Sequence, residues 1–544
     1  MTESLDDLRR QLRELGYLTH RLERWFALDP WSSRTFWQEL LLVAAKGATL
    51  VSLFAALPMI AAMLSRNGPL PLGETLALAA AYLVLWLAAV FVLLLAAAAA
   101  LELRPAAGIE RPSLLTGLAL ALALVIAACI GVWWVGFDGE PGAIERVAVP
   151  ALILLLIVVG TVVFSAALLS FSIHETGRIP AVARRSRSLP ILLAGGAMLV
   201  AIVAASSGPS GQPAPEPPAQ IVVEPTEVRL ALVAVDGLTR ELLLARPGLR
   251  ESFATEVPLA FPRDESAAGR WASVGTGTPS DLHRVSSVEG IRIGAEGRVL
   301  QQVSRFDPLR SPLAGWTRLV RRQPLPSSIR DRHYVWEILA ARGIPAVAVN
   351  WWVSRGEDEG ALRSIGQDAL FAAAAGEDAA ERAVDLDRRA IEALRSALAE
   401  RPPRFATVYL PALDIVINRL DAGEGRSIPL SLEALDRIAA LVADLRSSGY
   451  EVMVIGAPGD RQQGSGVLVS MLPFDRREAE ASDLAPTLLE LFGFPASSEM
   501  DGRPLLGTGS RPRISTYGSR TRAEEPDARD QEYYEALRSL GYVR

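Results

Sequence analysis

Cysteine, lysine and histidine are all rare in the sequence. Cys129 is the only cysteine among 544 residues, so no internal disulfide and no cysteine–histidine zinc site can form. Lysine occurs once, as Lys46, and we interpret the use of arginine elsewhere as coding bias. The net charge of −6 provides no basic field, so we expect no nucleic-acid partner. Histidine occurs only four times, which limits the imidazole ligands available for metals.

Long apolar runs, by contrast, are abundant. Half of the residues are apolar, and they concentrate in the first 206 positions. A membrane-spanning helix needs about 20 apolar residues. Five runs predict a membrane domain at residues 40–206 with five transmembrane helices, since buried helices of soluble proteins rarely contain uncharged runs of this length. The runs lie at 40–64, 76–101, 114–137, 147–170 and 189–206.

The arginines around these runs predict the orientation of the chain. The N-terminal region and the second and fourth connections hold twelve arginines, whereas the first and third connections hold only Arg66 and Arg146. By the positive-inside rule the N-terminus is cytoplasmic and, after five crossings, the residues beyond Ser206 are extracytoplasmic or periplasmic. The predicted location is the cell (inner) membrane, as a multi-pass protein. The runs contain almost no ionisable groups, which favours an anchor over a transporter.

The other regions differ in composition. Residues 1–39 carry leucines at helical spacing and predict an amphipathic cytoplasmic helix, which either lies on the inner membrane face or pairs with a second copy. Residues 207–227 are rich in proline and predict an extended linker. An extracytoplasmic domain follows at 228–508, and a C-terminal tail with a short helix at 509–544. The predicted partners are the lipid bilayer and either a second membrane protein or a second copy of the chain.

Beyond the linker, apolar strand patterns alternate with helical patterns. Strands are predicted at 228–237, 344–352, 404–414 and 452–455, and helices at 333–342, 379–400 and 431–448. This alternation predicts a mostly parallel sheet with helices on both faces. Sites in such sheets lie beyond the carboxyl ends of the strands. Asp236 and Asp414 stand at two of these ends, either as functional carboxylates or as helix caps.

Several segments of this domain resemble the alkaline phosphatase superfamily, in particular its type I phosphodiesterase and nucleotide pyrophosphatase branch. In the family's order, they are LVAVDGL, GRWASVGTGTPSDLHRV, YVWEILAARGIPAVAVNWWVS, TVYLPALDIVINRL, SDLAPTLLELFGFPASSEMDGRPLL and EALRSLGYV. The resemblance implies an α/β alkaline-phosphatase-like fold for the outer domain, which is joined to the multi-span α-helical membrane anchor predicted from the apolar runs. It also implies two divalent metals, usually zinc, held by aspartates and histidines, and a threonine or serine nucleophile.

When the family's site residues are compared with this sequence, the nucleophile and one metal ligand are not matched. Asp236 matches the first metal-binding aspartate. Ala267 stands at the nucleophile position, and only its neighbour Ser266 carries a hydroxyl. Asp414 matches a later aspartate, but Asn418 stands four residues on, where a histidine is expected.

The remaining histidine ligands are also missing. The family's aspartate–histidine pair falls on Ala457 and Pro458, and the histidine expected before the last helix is absent from GSGVLVSMLP. Of the four histidines, only His283 and His333 belong to the outer domain. His283 lies in a P-x-x-H turn that is structural in the family, and His333 begins a helix. A di-zinc site requires more imidazoles than this.

These losses favour a protein that does not catalyse hydrolysis and instead binds a ligand or partner or acts as a scaffold, with no bound cofactor. The alternative is a phosphoester hydrolase with an oxygen-ligand site. In it, Asp236 and Asp414 would hold Mg²⁺, Mn²⁺ or Ca²⁺ in preference to Zn²⁺, and Ser266 would be the nucleophile. Three further acidic residues are either additional ligands or solvated loop charges, namely Asp264, Glu265 and Asp460.

A phosphate group could also bind here without chemistry. The candidate binding residues are Arg263, Arg270 and Asn418, because guanidinium and amide groups donate hydrogen bonds to phosphoryl oxygens. The segment VGTGT at 274–278 lacks the lysine and the spacing of a P-loop. We interpret it as a tight strand-to-helix turn whose backbone amides could contribute.

Overall fold

The structure is a computed structural model, and its described residues cover most of both predicted domains. They are 36–68, 70–102, 112–137, 143–176, 221–224, 226–262, 265–294, 297–311, 314, 320–354, 356, 358–420, 424–459, 466–506, 512–520 and 530–543. Several sequence predictions lie outside these residues. They are the N-terminal amphipathic helix, the fifth apolar run, most of the proline-rich linker, Arg263, Asp264 and Asp460.

The chain divides into two compact units. The first combines Met1–Ser210 with Ile291–Arg321, and the second combines Gly211–Gly290 with Arg322–Arg544. That Ile291–Arg321 groups with the apolar helices was not predicted from the sequence. No local pattern in that segment indicates it, because its partners lie more than 150 residues earlier in the chain.

Four long apolar helices form most of the first unit. They are α1 (Phe36–Asn67), α2 (Leu72–Glu102), α3 (Pro112–Val135) and α4 (Ala143–Thr176). All four are long and apolar enough to cross a membrane. α1 packs against α2 and α4, and α3 packs against α4.

Small residues at the contacts between these helices let the helices approach closely. Ala44 and Ala48 in α1 are fully buried. A Cβ atom added at Gly160 in α4 would lie 3.2 Å from the Cβ atom of Ala123 in α3.

A nine-stranded mixed sheet forms the centre of the second unit. Its order is β12-β2-β11-β10-β1-β9-β6-β8-β7. The four predicted strands are the neighbouring strands β10, β1, β9 and β6, and they pair in parallel. The fold class predicted from the sequence is therefore confirmed, with antiparallel strands at the flanks. The strands are β1 (Leu230–Asp236), β2 (Thr255–Ala260), β6 (Ala346–Val349), β7 (Asp358–Glu359), β8 (Leu362–Ile365), β9 (Phe405–Leu410), β10 (Glu451–Ala457), β11 (Gly466–Ser470) and β12 (Ala479–Glu480).

A separate three-stranded sheet has the order β4-β3-β5. Its strands are β3 (Glu289–Ile293), β4 (Val299–Gln301) and β5 (Val320–Pro324). Residues of β1 and β9 are buried throughout, because the central strands have neighbours on both faces. This burial is the physical reason for the continuous apolar runs that predicted them.

Two of the three predicted helices of the second unit begin and end within two residues of their predicted positions, whereas the third, predicted at 431–448, begins seven residues earlier, at Glu424. Asp378 caps one of them by accepting hydrogen bonds from the amides of Ala380 and Glu381, which explains why it begins at residue 379 as predicted. The helices are α5 (Arg240–Leu244), α6 (Pro247–Arg250), α7 (Ala267–Thr276), α8 (Ser280–His283), α9 (Val335–Ala341), α10 (Gln367–Ala373), α11 (Ala379–Glu400), α12 (Ala412–Asp414), α13 (Glu424–Ser447), α14 (Leu484–Leu491) and α15 (Asp530–Ser539).

The interpretation of VGTGT as a strand-to-helix turn is wrong. Val274 to Thr276 form the last turn of α7, and Gly277 ends the helix in the left-handed conformation, with φ 69°. Glycine is the usual residue at such a position because it has no Cβ atom. The segment therefore presents helix carbonyl groups and not the amide groups that a phosphate would need.

Candidate functional site

The carboxyl ends of three neighbouring strands bring the predicted carboxylates together. Asp236 is the last residue of β1 and pairs with Ala457, the last residue of β10. Asp414 follows β9 in the short helix α12. Gly237 has φ 84°, and a Cβ atom there would lie 2.7 Å from the Cα atom of Asp414. The two aspartates therefore stand on backbone segments that touch.

Asp414 has both carboxylate oxygens engaged by the chain itself. Its Oδ1 accepts a hydrogen bond from Nδ2 of Asn418 at 2.9 Å. Its Oδ2 accepts one from Nε of Arg419 at 2.5 Å, in an ion pair whose side chains are 0% and 6% exposed. A π-helical turn, Ile415–Arg419, follows Asp414. This wider turn lets residues four and five positions on face the same carboxylate.

Asp236 is fully buried, and only one of its two carboxylate oxygens has a hydrogen-bond donor among the described residues. Its Oδ2 accepts a hydrogen bond from the hydroxyl of Tyr409 at 3.0 Å, whereas its Oδ1 meets no donor among the described residues. Burial raises its pKa to about 6, and the nearby Asp414 carboxylate adds to this rise. The guanidinium groups of Arg270 and Arg419 oppose it. The site is therefore a pair of buried carboxylates held in a field of two guanidinium groups.

The residues at the start of α7 cap the helix. Ser266 is the N-cap residue, and its Oγ accepts a hydrogen bond from the amide of Gly269 at 3.1 Å. Ala267, at the family's nucleophile position, is the first residue of the helix. Arg270, one turn on, is 6% exposed and contributes to the field around Asp236.

Both histidines of the outer domain make structural contacts. His283 is fully buried, accepts a hydrogen bond from the amide of Val285 through Nδ1, and lies 3.0 Å from Oγ of Ser273 through Nε2. Burial lowers its pKa to about 3, so the ring is neutral. His333 lies 3.6 Å from Glu337 at the start of α9. Among the described contacts, neither ring touches Asp236 or Asp414.

The C-terminal residues lie directly on the site. The guanidinium carbon of Arg419 is 4.1 Å from the ring centre of Tyr542, and the hydroxyl of Tyr542 is 3.3 Å from that of Tyr409. A Cβ atom at Gly541 would lie 3.1 Å from Cβ of Arg419. Asp236 and Asp414 are consequently closed off from solvent, at 0% exposure.

Sequence reasoning missed Arg419, Tyr409 and Tyr542. Arg419 directly follows Asn418, which was a candidate, so its position along the chain was a usable signal. An ordinary helical turn brings residues three and four positions on to the same face. Only the π-helical turn adds the fifth, and no pattern in the sequence predicts that turn.

The described residues do not fit a di-metal centre. Among them, no group of three histidine, cysteine, aspartate or glutamate side chains lies close enough to hold a metal ion. Both oxygens of Asp414 already accept hydrogen bonds, and a cationic side chain lies 2.5 Å from one of them. A Cβ atom at Gly459 would collide with Asn418 and Asp414, so the loop after β10 fills the adjoining space.

Comparisons with known proteins identify similar folds at low sequence identity. No protein-family model matches the sequence, and no curated protein matches it. One similar solved structure is that of murine ectonucleotide pyrophosphatase/phosphodiesterase 5, an inactive variant in complex with AMP, with 10% identity, a TM-score of 0.34, and 49% of this chain and 96% of that chain covered. The human protein matches with 9% identity, a TM-score of 0.33 and coverage of 52% and 100%. Phosphoglycerate mutase of Leishmania mexicana matches with 15% identity, a TM-score of 0.25 and coverage of 31% and 39%.

At these identities the matches concern the fold alone.

Proposed function

We propose that this chain is a membrane-anchored protein whose phosphodiesterase-like outer domain does not hydrolyse phosphoesters and acts as a binding or scaffold module. The observation that carries the proposal is the buried ion pair of Arg419 with Asp414, with Asn418 on the other carboxylate oxygen. It occupies the place where the family resemblance expects a metal and a histidine.

Charge balance supports this reading. Two buried carboxylates side by side repel each other and lose hydration, so they require nearby positive charge. In a di-metal enzyme the metals supply that charge. Here Arg419 pairs directly with Asp414, and Arg270 and Arg419 both act on Asp236. The chain's own side chains therefore stabilise the carboxylates without a metal.

The residues at the expected nucleophile position also support a non-hydrolytic function. Ala267 has no nucleophilic group, and the hydroxyl oxygen of Ser266 is used as a helix cap. A serine attacks a phosphoryl group only when a base or a metal activates it. None of the described contacts of Ser266 is with such a group.

One observation favours the alternative, a hydrolase with an oxygen-ligand site. Oδ1 of Asp236 is a buried carboxylate oxygen without a donor among the described residues, and such an oxygen is a ligand for Mg²⁺, Mn²⁺ or Ca²⁺. A single such oxygen beside an occupied Asp414 is a weak donor set. A phosphoester hydrolysis assay with added metal ions distinguishes the two functions.

We expect the purified full-length chain to release no nitrophenol from nitrophenyl phosphate or bis-nitrophenyl phosphate above the blank, with Zn²⁺, Mg²⁺, Mn²⁺ or Ca²⁺ added. The reason is that the nucleophile and most of the ligands expected from the family resemblance are missing from the sequence. Elemental analysis of the same sample is expected to find less than one metal ion per chain. Metal-dependent release that disappears in the Asp236→Ala variant would establish the alternative and reject the proposal.

Contacts within the first unit support an odd number of membrane crossings before residue 297. Asn67 at the end of α1 bonds to Gln301, and the carbonyl of Gly136 just past α3 accepts a hydrogen bond from the amide of Arg305. The first and third connections thus lie on the same side as residues 297–311. An even number of crossings before residue 297 would put these residues on the opposite side. The contacts therefore favour the odd number that five spans provide.

Cysteine labelling tests this orientation, because Cys129 is the only native cysteine. In a Cys129→Ala background, we expect a membrane-impermeant maleimide to label the Ser210→Cys variant in intact cells and to label the Ser4→Cys variant only after lysis. The two sites flank the predicted spans, so labelling of both or of neither in intact cells contradicts five crossings. The bilayer is the partner this topology requires, and a second membrane protein or a second copy of the chain stays a proposal.

A further inference from the structure

Residues 297–311, which we call the docking segment, pack against helices that precede them by more than 150 residues. The side chain of Asn67, the last residue of α1, donates to the carbonyl of Gln301 at 2.9 Å and accepts from its amide at 2.7 Å. The hydroxyl of Ser304 donates to the carbonyl of Trp133 in α3 at 2.6 Å. These bonds place the docking segment at the ends of α1 and α3.

A buried acid anchors the docking segment to α2. Oδ2 of Asp307 accepts a hydrogen bond from the hydroxyl of Tyr82 at 2.8 Å, and its Oδ1 accepts one from the amide of Leu309 at 2.9 Å. Asp307 is 3% exposed, and burial raises its pKa to about 6. Burying a carboxylate is unfavourable unless both oxygens are satisfied, as they are here. The hydrogen bonds of Asp307 therefore fix the position of the neighbouring residues of the docking segment relative to α2.

The neighbour of this anchor is an exposed aromatic ring. Phe306 is 51% exposed, and its ring lies over Gly136, where a Cβ atom would come within 3.0 Å of Cε2 of the ring. The absence of a side chain at Gly136 lets the ring lie against the end of α3. Val135, the last residue of that helix, is 75% exposed. Phe306 therefore extends the exposed apolar surface of α3 past the end of the helix.

A cationic group stands beside this ring. The guanidinium carbon of Arg305 is 5.1 Å from the ring centre of Phe306. A similar pair lies nearby, since the guanidinium of Arg66 is 5.5 Å from the ring centre of Phe137. Trp and Tyr rings and snorkelling Lys and Arg side chains mark the boundary between lipid acyl chains and headgroups. Phe306 and Arg305 likewise set an aromatic ring beside a guanidinium group.

We infer that Phe306 and Arg305 contact the outer leaflet of the bilayer, with the ring at the boundary between acyl chains and headgroups and the guanidinium at the lipid phosphates. The inference rests on the proposed function, since it requires α1–α4 to be embedded. Lipid is the occupant because the exposed surface continues from the face of a predicted membrane helix. The docking segment lies within the outer domain in the sequence, but it is then a part of the first unit that contacts lipid.

Fluorescence quenching by spin-labelled lipids tests this inference. In the Cys129→Ala background, the full chain carries a single nitrobenzoxadiazole label at Phe306→Cys and is placed in phosphatidylcholine nanodiscs. The nanodiscs contain nitroxide either at the headgroup or at mid-chain. Two reference labels define the scale. Val158→Cys is a mid-helix, 62% exposed site in α4, and Glu377→Cys is an exposed site of the outer domain.

We expect headgroup nitroxide to quench the label at 306 at least about twofold more than the label at 377, since an interfacial site lies within reach of the headgroups. The label at 158 is expected to respond mainly to mid-chain nitroxide. The Tyr82→Phe variant, which removes the hydroxyl from the Asp307 anchor, is expected to reduce quenching at 306 and to leave quenching at 158 unchanged.

The three labels separate the ways in which the inference can fail. Quenching at 158 together with a response at 306 no greater than at 377 overturns the lipid contact while the anchor stands. Absence of lipid quenching at both 158 and 306 overturns the membrane anchor itself, and the lipid contact with it. Quenching at 306 that is equally strong for mid-chain nitroxide contradicts the interfacial depth.

Discussion

Replacing Arg419 by methionine is expected to lower the free energy of unfolding by about 3–5 kcal/mol, the range found when one partner of a buried ion pair is removed. The pair qualifies because its side chains are 0% and 6% exposed. Methionine keeps much of the volume of the side chain and removes its charge. Asp414 would retain only the hydrogen bond from Asn418 among its described side-chain partners. Chemical denaturation of the full chain in detergent measures the change.

A double-mutant cycle shows whether this loss belongs to the pair. The double variant Asp414→Asn with Arg419→Met is expected to be more stable than the sum of the two single losses predicts, because it removes both charges. Arg240→Met is the matched control, since Arg240 pairs with Glu256 at the surface and is 55% exposed. Such a pair contributes about 0–1 kcal/mol. A loss at Arg419 no larger than the loss at Arg240 would contradict the charge balance on which the proposed function rests.

The second large effect is expected for Gly237→Ala, which we predict to cost about 2–5 kcal/mol by adding left-handed strain to a steric collision. Gly237 has φ 84°, and a Cβ atom there would lie 2.7 Å from Cα of Asp414 and 2.8 Å from the carbonyl carbon of Leu413. These atoms belong to backbone, so they cannot move aside as a flexible side chain would. The substitution would push apart the two segments that carry the carboxylates.

Gly343→Ala separates the collision from the strain. Gly343 has φ 80°, and nothing lies within 4 Å of the position a Cβ atom would take. Its substitution is expected to cost about 1–2 kcal/mol, from the left-handed conformation alone. Thermal melting and denaturant titration of both variants give the comparison. Equal losses at the two positions would mean that the ends of β1 and β9 are not held in contact.

The central part of the fold could be predicted because it obeys a local rule. Strands buried on both faces need apolar residues at every position, so β1, β6, β9 and β10 were visible as runs. Since the carboxyl ends of parallel strands meet at one edge, the sequence also placed Asp236 and Asp414 together. The structure confirms that their backbones touch.

The contents of the site were harder to predict. Asn418 was a candidate because an amide group can donate to a phosphoryl oxygen, and in the structure it donates a hydrogen bond to Asp414. Ser266 was the candidate nucleophile, and it caps α7. Polar residues of these types serve both structure and chemistry, and only their partners tell which. The error at VGTGT has a similar cause, since its glycines suit the end of a helix as well as a turn.

By itself, the sequence determined that the chain has long apolar helices, a mostly parallel sheet and only four histidines. These properties depend on composition and on short-range periodicity, which can be read along the chain. The tertiary structure alone decided that Arg419 pairs with Asp414, that the ring of Tyr542 lies against Arg419 and that residues 297–311 belong with the apolar helices. The first contact depends on a wide helical turn, and the others depend on the path of a long segment through space. Residues that meet in either way have no pattern in the nearby sequence that would predict the contact.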